Sequence, residues 1–105
     1  MTTLEEATKI IKSLIKIGKI FIESRDFNKT FNEILKMDTF TAYIFGILVA
    51  ETCKEINNPH AENIYLNYIK VLQMLKEGKS EKEIIDDFIR AWKQWKLEEF
   101  TMYGG

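Results

Sequence analysis

The sequence of 105 residues has few of the residues that build turns, crosslinks or metal sites. It contains one proline, one cysteine, one histidine and five glycines. A single cysteine excludes an internal disulfide, and one cysteine with one histidine leaves too few ligands for a zinc site. Scarce proline and glycine disfavour an architecture of short strands joined by tight turns. These absences predict a helical protein without a structural metal.

The sequence also lacks an excess of charge of one sign and any long apolar run. Fifteen basic and sixteen acidic side chains give a net charge of −1 at neutral pH, so no bulk excess attracts nucleic acid or anionic lipid. The most apolar stretch, residues 40–50, is much shorter than the roughly 20 residues that cross a bilayer. The opening MTTLEEATK carries acidic residues where a secretory signal is basic. We therefore expect a cytoplasmic protein without stable membrane insertion.

Residues 40–56, FTAYIFGILVAETCKEI, are the segment around which the predicted fold is arranged. Stepped at 100° per residue, its apolar side chains occupy every side of a helix. Such a helix has to be enclosed by its neighbours. We therefore predict an all-α fold, a compact bundle of about five helices around a central apolar helix formed by residues 40–56. Gly46, inside the apolar run, is expected to mark the close approach of a neighbouring helix.

Four further helices are predicted from apolar periodicity and from the residues that cap helix ends. Their expected ranges are 4–24, 27–37, 59–77 and 81–100. Each is preceded by a residue that can cap its first turn, namely Thr3, Asp26, Asn58 and Ser80. The chain is thus predicted to be a single helical domain, residues 1–105, whose last few residues form a flexible tail.

No motif of catalytic or ligand-binding specificity occurs in the sequence. Cys53 and His60 have no orienting third partner, so a catalytic pair is not expected, and Cys53 is predicted to be a small apolar filler. Glu51 and Glu55 share a helix face and are expected at its exposed end, paired with Lys54 or water. We therefore predict no catalytic residue, no metal ligand and no cofactor, and we expect that the protein is not an enzyme.

A small helical domain without such chemistry is expected to work by presenting a surface to another protein. Two apolar residues, Leu66 and Met74, lie on or beside the polar side of the fourth helix. We predict a protein-interaction module: an adaptor, an accessory subunit or an inhibitor of a larger complex, a role that also suits a viral or mobile-element protein. A homodimer formed through the same residues belongs to this hypothesis. The candidate partner surface comprises Leu66, Met74, Phe100, Met102 and Tyr103.

Clustered basic residues support an alternative function. Four lysines fall within about 80° on the first helix, and three basic residues line one flank of the last helix beside Trp92 and Trp95. A solvated outer face and core packing are the simpler explanations of the lysines and the tryptophans. The alternative is a nucleic-acid-binding accessory protein, or one that binds an acidic partner. This phosphate surface comprises Lys9, Lys12, Lys16, Lys19, Arg90, Lys93 and Lys96.

Overall fold

The structure, a computed structural model, describes residues 3–24, 26–53 and 58–102; of residue 27 and residues 95–102 it describes the backbone alone. The described chain forms five α-helices and no strand, which confirms the predicted all-α bundle. The helices are α1 (Leu4–Ser24), α2 (Phe27–Leu35), α3 (Thr39–Thr52), α4 (Pro59–Lys76) and α5 (Glu81–Met102).

The helix starts are fixed by the capping side chains that the sequence predicted. The carboxylate of Asp26 accepts hydrogen bonds from two amides in the first turn of α2, and Asn58 accepts one in the first turn of α4. Ser80 and Glu83 exchange two hydrogen bonds at the start of α5, at 3.2 and 3.3 Å. Because a capped start satisfies amides that have no partner within the helix, each of these helices begins where its cap occurs.

The helix ends agree less closely with the sequence prediction. α2 ends at Leu35, two residues early, and α5 reaches Met102, two residues beyond the predicted end, so part of the expected flexible tail is helical. α3 ends at Thr52, and residues 54–57, where its last turn was predicted, lie outside the described residues. Gly78 follows α4 with φ of 86°, the left-handed conformation that suits glycine after a helix.

The structure corrects the predicted centre of the bundle. α1 packs against all four other helices, whereas α3 packs closely on α1, α2 and α4. Leu14 and Ile17 of α1 are fully buried, but Tyr43 of α3 is 64% exposed and Gly46 is exposed. An apolar helix needs burial only on its bulky face, because glycine and an amphipathic tyrosine tolerate water on the other side. The described part of the predicted central segment, which forms α3, is therefore not enclosed on all sides, and α1 is the central helix.

The close approach predicted at Gly46 occurs at Gly18 instead. A Cβ atom at Gly18 would lie 2.9 Å from Leu75 Cδ1 and 3.3 Å from Leu72 Cδ2, whereas one at Gly46 would meet no atom within 4 Å. The absence of a side chain at Gly18 therefore lets α4 pack closely on α1. Gly46 has no such role because it lies on the exposed face of α3.

We expect that Gly46→Ala raises the free energy of unfolding by about 1 kcal/mol, the intrinsic advantage of alanine over glycine within a helix. Gly18→Ala should raise the free energy of unfolding by less, because the added methyl group displaces the Leu75 side chain. Urea unfolding of both variants, followed by circular dichroism, measures the difference. An equal or larger gain at Gly18 would contradict the close packing described for α1 and α4.

A buried hydroxyl contact joins the centre of α1 to the start of α3. Ser13 and Thr41 are both buried, and their hydroxyl oxygens lie 3.1 Å apart. The Thr41 hydroxyl also donates to the Asp38 carboxylate, which accepts the Thr41 amide at 3.0 Å as well. These bonds from Thr41, first that of its amide, hold the pKa of the Asp38 carboxyl below its usual range. We expect this contact to help position the start of α3 along α1.

Candidate functional site

An apolar pocket of about 440 Å³ opens between α1, α3 and α4. α1 contributes Phe21, near its C-terminal end. α3 contributes residues of its second half and its C-cap, and α4 contributes residues from its middle turns. The three helices also pack on one another, so the walls are held in place by the bundle. The lining residues are Phe21, Phe45, Leu48, Val49, Thr52, Cys53, Tyr65, Tyr68, Ile69 and Leu72.

The described lining of this pocket carries no charged side chain and few polar atoms. Among the described residues, the ten that line it include no aspartate, glutamate, lysine, arginine or histidine. The hydroxyl of Thr52 donates to the Leu48 carbonyl at 2.8 Å and so satisfies its donor within the helix. Burial raises the pKa of Tyr68 to about 12, with a smaller contribution from Tyr65, so the phenol stays neutral. Tyr68 is half-buried, whereas Thr52, Cys53 and Ile69 of the same lining are exposed.

Two large apolar side chains project from the outer face of α4 beside the pocket. Leu66 is 50% exposed and Ile69 is 45% exposed, and their spacing of three residues places them on one side of the helix. We call these two residues the α4 patch. Exposed polar and charged residues of the same helix surround it, namely Glu62, Asn63, Lys70 and Gln73. Ile69 belongs to both the α4 patch and the pocket wall, whereas Leu66 lies outside the pocket.

Ile69 is the residue of this surface that sequence reasoning missed. Stepped at 100° per residue, Ile69 and Met74 lie about 110° to either side of the centre of the buried arc of α4. Apolar periodicity therefore predicts the same degree of burial for both residues. The structure separates them, because Met74 is half-buried against the core while Ile69 borders the pocket. Met74 was therefore wrongly predicted as an outward-facing residue.

The remaining residues of the predicted partner surface lie near the end of the chain. Phe100 and Met102 belong to α5, but the structure describes only their backbone. Tyr103 lies outside the described residues. Of the five predicted residues, Leu66 is thus the one whose side chain the structure places on the surface.

The four lysines predicted on the first helix are all exposed along α1. Lys9 Nζ lies 4.3 Å from the centre of the Phe40 ring. Lys16 Nζ lies 3.6 Å from the Asp38 carboxylate, and Lys19 Nζ lies 3.9 Å from that of Glu81. Exposed ion pairs of this kind typically contribute less than about 1 kcal/mol to stability. The two carboxylates nevertheless neutralise part of the positive charge that would attract a phosphate group.

The basic flank of α5 is balanced in the same way. The Asp87 carboxylate accepts hydrogen bonds from Lys79, at 3.1 Å, and from Arg90. The bond from Lys79, more than any other contact, holds the pKa of Asp87 below its usual range. Lys93 is exposed, and the side chain of Lys96 is not described. Trp92 lines a cavity of about 20 Å³ between α1 and α5, in agreement with the core packing expected for it.

Of the groups considered for chemistry, Glu51 and Cys53 are placed differently from what the sequence suggested, whereas His60 lies on the surface. Glu51, expected at an exposed helix end, is 7% exposed, because it continues the i, i+4, i+7 face of Ile44 and Leu48. Cys53, expected as an apolar filler, is exposed at the end of α3, and His60 is exposed at the start of α4. Among the described residues, no three histidine, cysteine, aspartate or glutamate side chains form a group able to hold a metal ion.

In the part of the chain that the structure describes, no helix combines the length and the apolar character needed to cross a bilayer. The chain matches no protein-family model, no curated protein and no solved structure. Fold and site together define a five-helix all-α domain whose most distinctive surface is the pocket between α1, α3 and α4 with the adjoining α4 patch.

Proposed function

We propose that this protein is a non-catalytic protein-interaction module, an adaptor, accessory subunit or inhibitor, whose contact surface centres on the α4 patch. The observation that carries the proposal is the half-exposure of Leu66 and Ile69 on one side of α4. Protein interfaces commonly place apolar anchors at the centre and polar groups at the rim. The polar residues around the α4 patch provide such a rim.

The energy available from the patch indicates how large the contact has to be. Burying the exposed half of each side chain contributes about 1 kcal/mol, since full burial of a leucine or isoleucine contributes about 1.5–3 kcal/mol. A micromolar complex needs about 8 kcal/mol net of the cost of association. The partner must therefore cover more than the α4 patch, and the neighbouring polar rim and pocket mouth are the adjoining surface.

The phosphate surface is the weaker of the two candidates. Lys16, Lys19 and Arg90 each have a carboxylate partner within 4 Å, and a phosphate would have to compete with these carboxylates. Each phosphate contact contributes through the release of a counterion, so a cation that is already paired contributes less. Nucleic-acid binding therefore remains the alternative proposal, through Lys9, Lys12 and Lys93 first.

Replacing Leu66 and Ile69 together by glutamate is expected to weaken partner binding at least tenfold, because two charges would have to be buried at the centre of the contact. The measurement is quantitative affinity capture from cells of the native host, with light scattering to detect a homodimer. Tyr43→Glu is the matched control, since it also places a glutamate at an exposed large apolar position, on α3 instead of α4.

Captured proteins that Tyr43→Glu retains and the double variant loses would support the proposal, provided that both variants keep the helical content of the wild type. Retention of every partner by the double variant would exclude the α4 patch as the contact surface. A wild-type protein that is monomeric and captures nothing would exclude the interaction module itself.

A further inference from the structure

We propose that the pocket between α1, α3 and α4 binds an uncharged, largely apolar small molecule, such as an aliphatic alcohol or ester. This inference goes beyond the proposed protein contact and does not rest on it. In the part of the chain that the structure describes, ten residues line the pocket, none of them with a charged side chain, and its volume is about 440 Å³. Small-molecule sites commonly have volumes of roughly 300–1,000 Å³ and mainly apolar walls.

The chemistry of the walls selects a neutral ligand. A charged group would have to leave water for a site whose described lining has no opposite charge, at a cost of several kcal/mol. Moving a hydroxyl or ester group out of water costs much less free energy. The phenol of Tyr68 and the thiol of Cys53 are groups with which it can form hydrogen bonds. The ligand class is thus an apolar body with at most a small neutral polar group.

The size of the pocket favours a small molecule over a segment of protein. One turn of α-helix, treated as a cylinder about 10 Å wide and 5.4 Å long, occupies roughly 420 Å³ with its side chains. The pocket therefore has room for about a single turn, so neither a partner helix nor a second copy of this chain would bury a long apolar face in it. A volume of about fifteen water molecules suits an alcohol of medium chain length.

The test measures binding of straight-chain alcohols, from hexan-1-ol to tetradecan-1-ol, by competition with the neutral fluorescent dye Nile red. Each added methylene should tighten binding about fourfold, the factor that corresponds to about 0.8 kcal/mol, until the pocket is full. Beyond that length the affinity should level off, with one site per chain. Affinity that rises without a limit would indicate partitioning into aggregates and would overturn the proposal, as would no binding up to the solubility limit.

Val49→Trp places a large ring in the pocket wall and should lower the affinity at least tenfold. Gln73→Trp adds the same ring to the exposed outer side of α4 and should leave the affinity unchanged. Equal affinities of the two variants would overturn the proposal. Leu66→Glu should also leave alcohol binding unchanged, which separates this test from that of the protein contact.

A measurement on the wild-type chain avoids any effect of substitution on folding. Cys53 is the only cysteine and lines the pocket, so saturating dodecan-1-ol should slow its alkylation by N-ethylmaleimide at least fivefold. An unchanged rate would count against the proposal. If light scattering instead shows a dimer that Val49→Trp dissociates, and no alcohol binds, the occupant is a second copy of the chain and the proposal fails.

Discussion

Replacing Leu14 by alanine is expected to lower the free energy of unfolding by about 4 kcal/mol. Leu14 is 0% exposed and lies in the middle of α1, the helix that packs on the four others. Leucine-to-alanine changes in closed cores cost about 2.7–5.0 kcal/mol, and more when the surroundings cannot collapse into the space. Because helices surround Leu14 on several sides, little collapse is possible there, and the cost should lie in the upper part of the range.

Leu48→Ala is the matched comparison, because it removes the same atoms from α3. Leu48 is nearly as buried, but it lines the pocket, so one of its sides already lacks packed atoms. We expect a loss of about 3 kcal/mol, smaller than at Leu14. Urea unfolding of the two variants measures both values. A larger loss at Leu48 would favour α3, the helix that the sequence prediction placed at the centre, over α1 as the centre of the bundle.

A loss of 4 kcal/mol is large for a domain of this size, whose total stability is expected to be about 5–15 kcal/mol. If the Leu14 variant unfolds too readily for a complete transition to be recorded, Ile17→Val provides a milder change in the same fully buried part of α1. It should cost about 1 kcal/mol. No measurable loss there would contradict the central position of α1.

The helices could be predicted from the sequence because their signals are local. A cap such as Asp26, Asn58 or Ser80 satisfies amides of the turn that follows, so its effect does not depend on the rest of the fold. α1 and the start of α4 were therefore predicted at the observed residues. The ends of α2 and α5 were less accurate because neither segment has a stop signal as strong as Gly78 after α4.

The arrangement of the helices could not be predicted as well, because burial depends on which neighbours are present. The segment 40–56 is apolar on every side, and composition alone does not show that Tyr43 and Gly46 face water. Ile69 and Met74 are equivalent by periodicity, and only the positions of the other helices distinguish them. The pocket has the same origin, since its walls come from three helices and form no pattern along the chain.

Replacing Thr41 by valine is expected to lower the free energy of unfolding by about 2–3 kcal/mol although the two side chains have nearly the same shape. The Thr41 hydroxyl has one proton, which it donates to Asp38, so the Ser13 hydroxyl must be the donor in the buried contact between them. Valine leaves Ser13 buried without this acceptor and also removes a hydrogen bond to the Asp38 carboxylate. A buried hydroxyl that loses its partner costs about 1–3 kcal/mol.

Ser13→Ala should cost less, about 1 kcal/mol, because Thr41 keeps its bond to Asp38 when its partner on α1 is removed. The double variant is the decisive measurement. Since valine at 41 destabilises partly by isolating Ser13, removing that hydroxyl as well should recover about 1 kcal/mol, and the combined loss should be smaller than the sum of the single losses. Strictly additive losses in urea unfolding would show that the hydroxyls of α1 and α3 do not interact, and that the start of α3 is positioned on α1 by apolar packing alone.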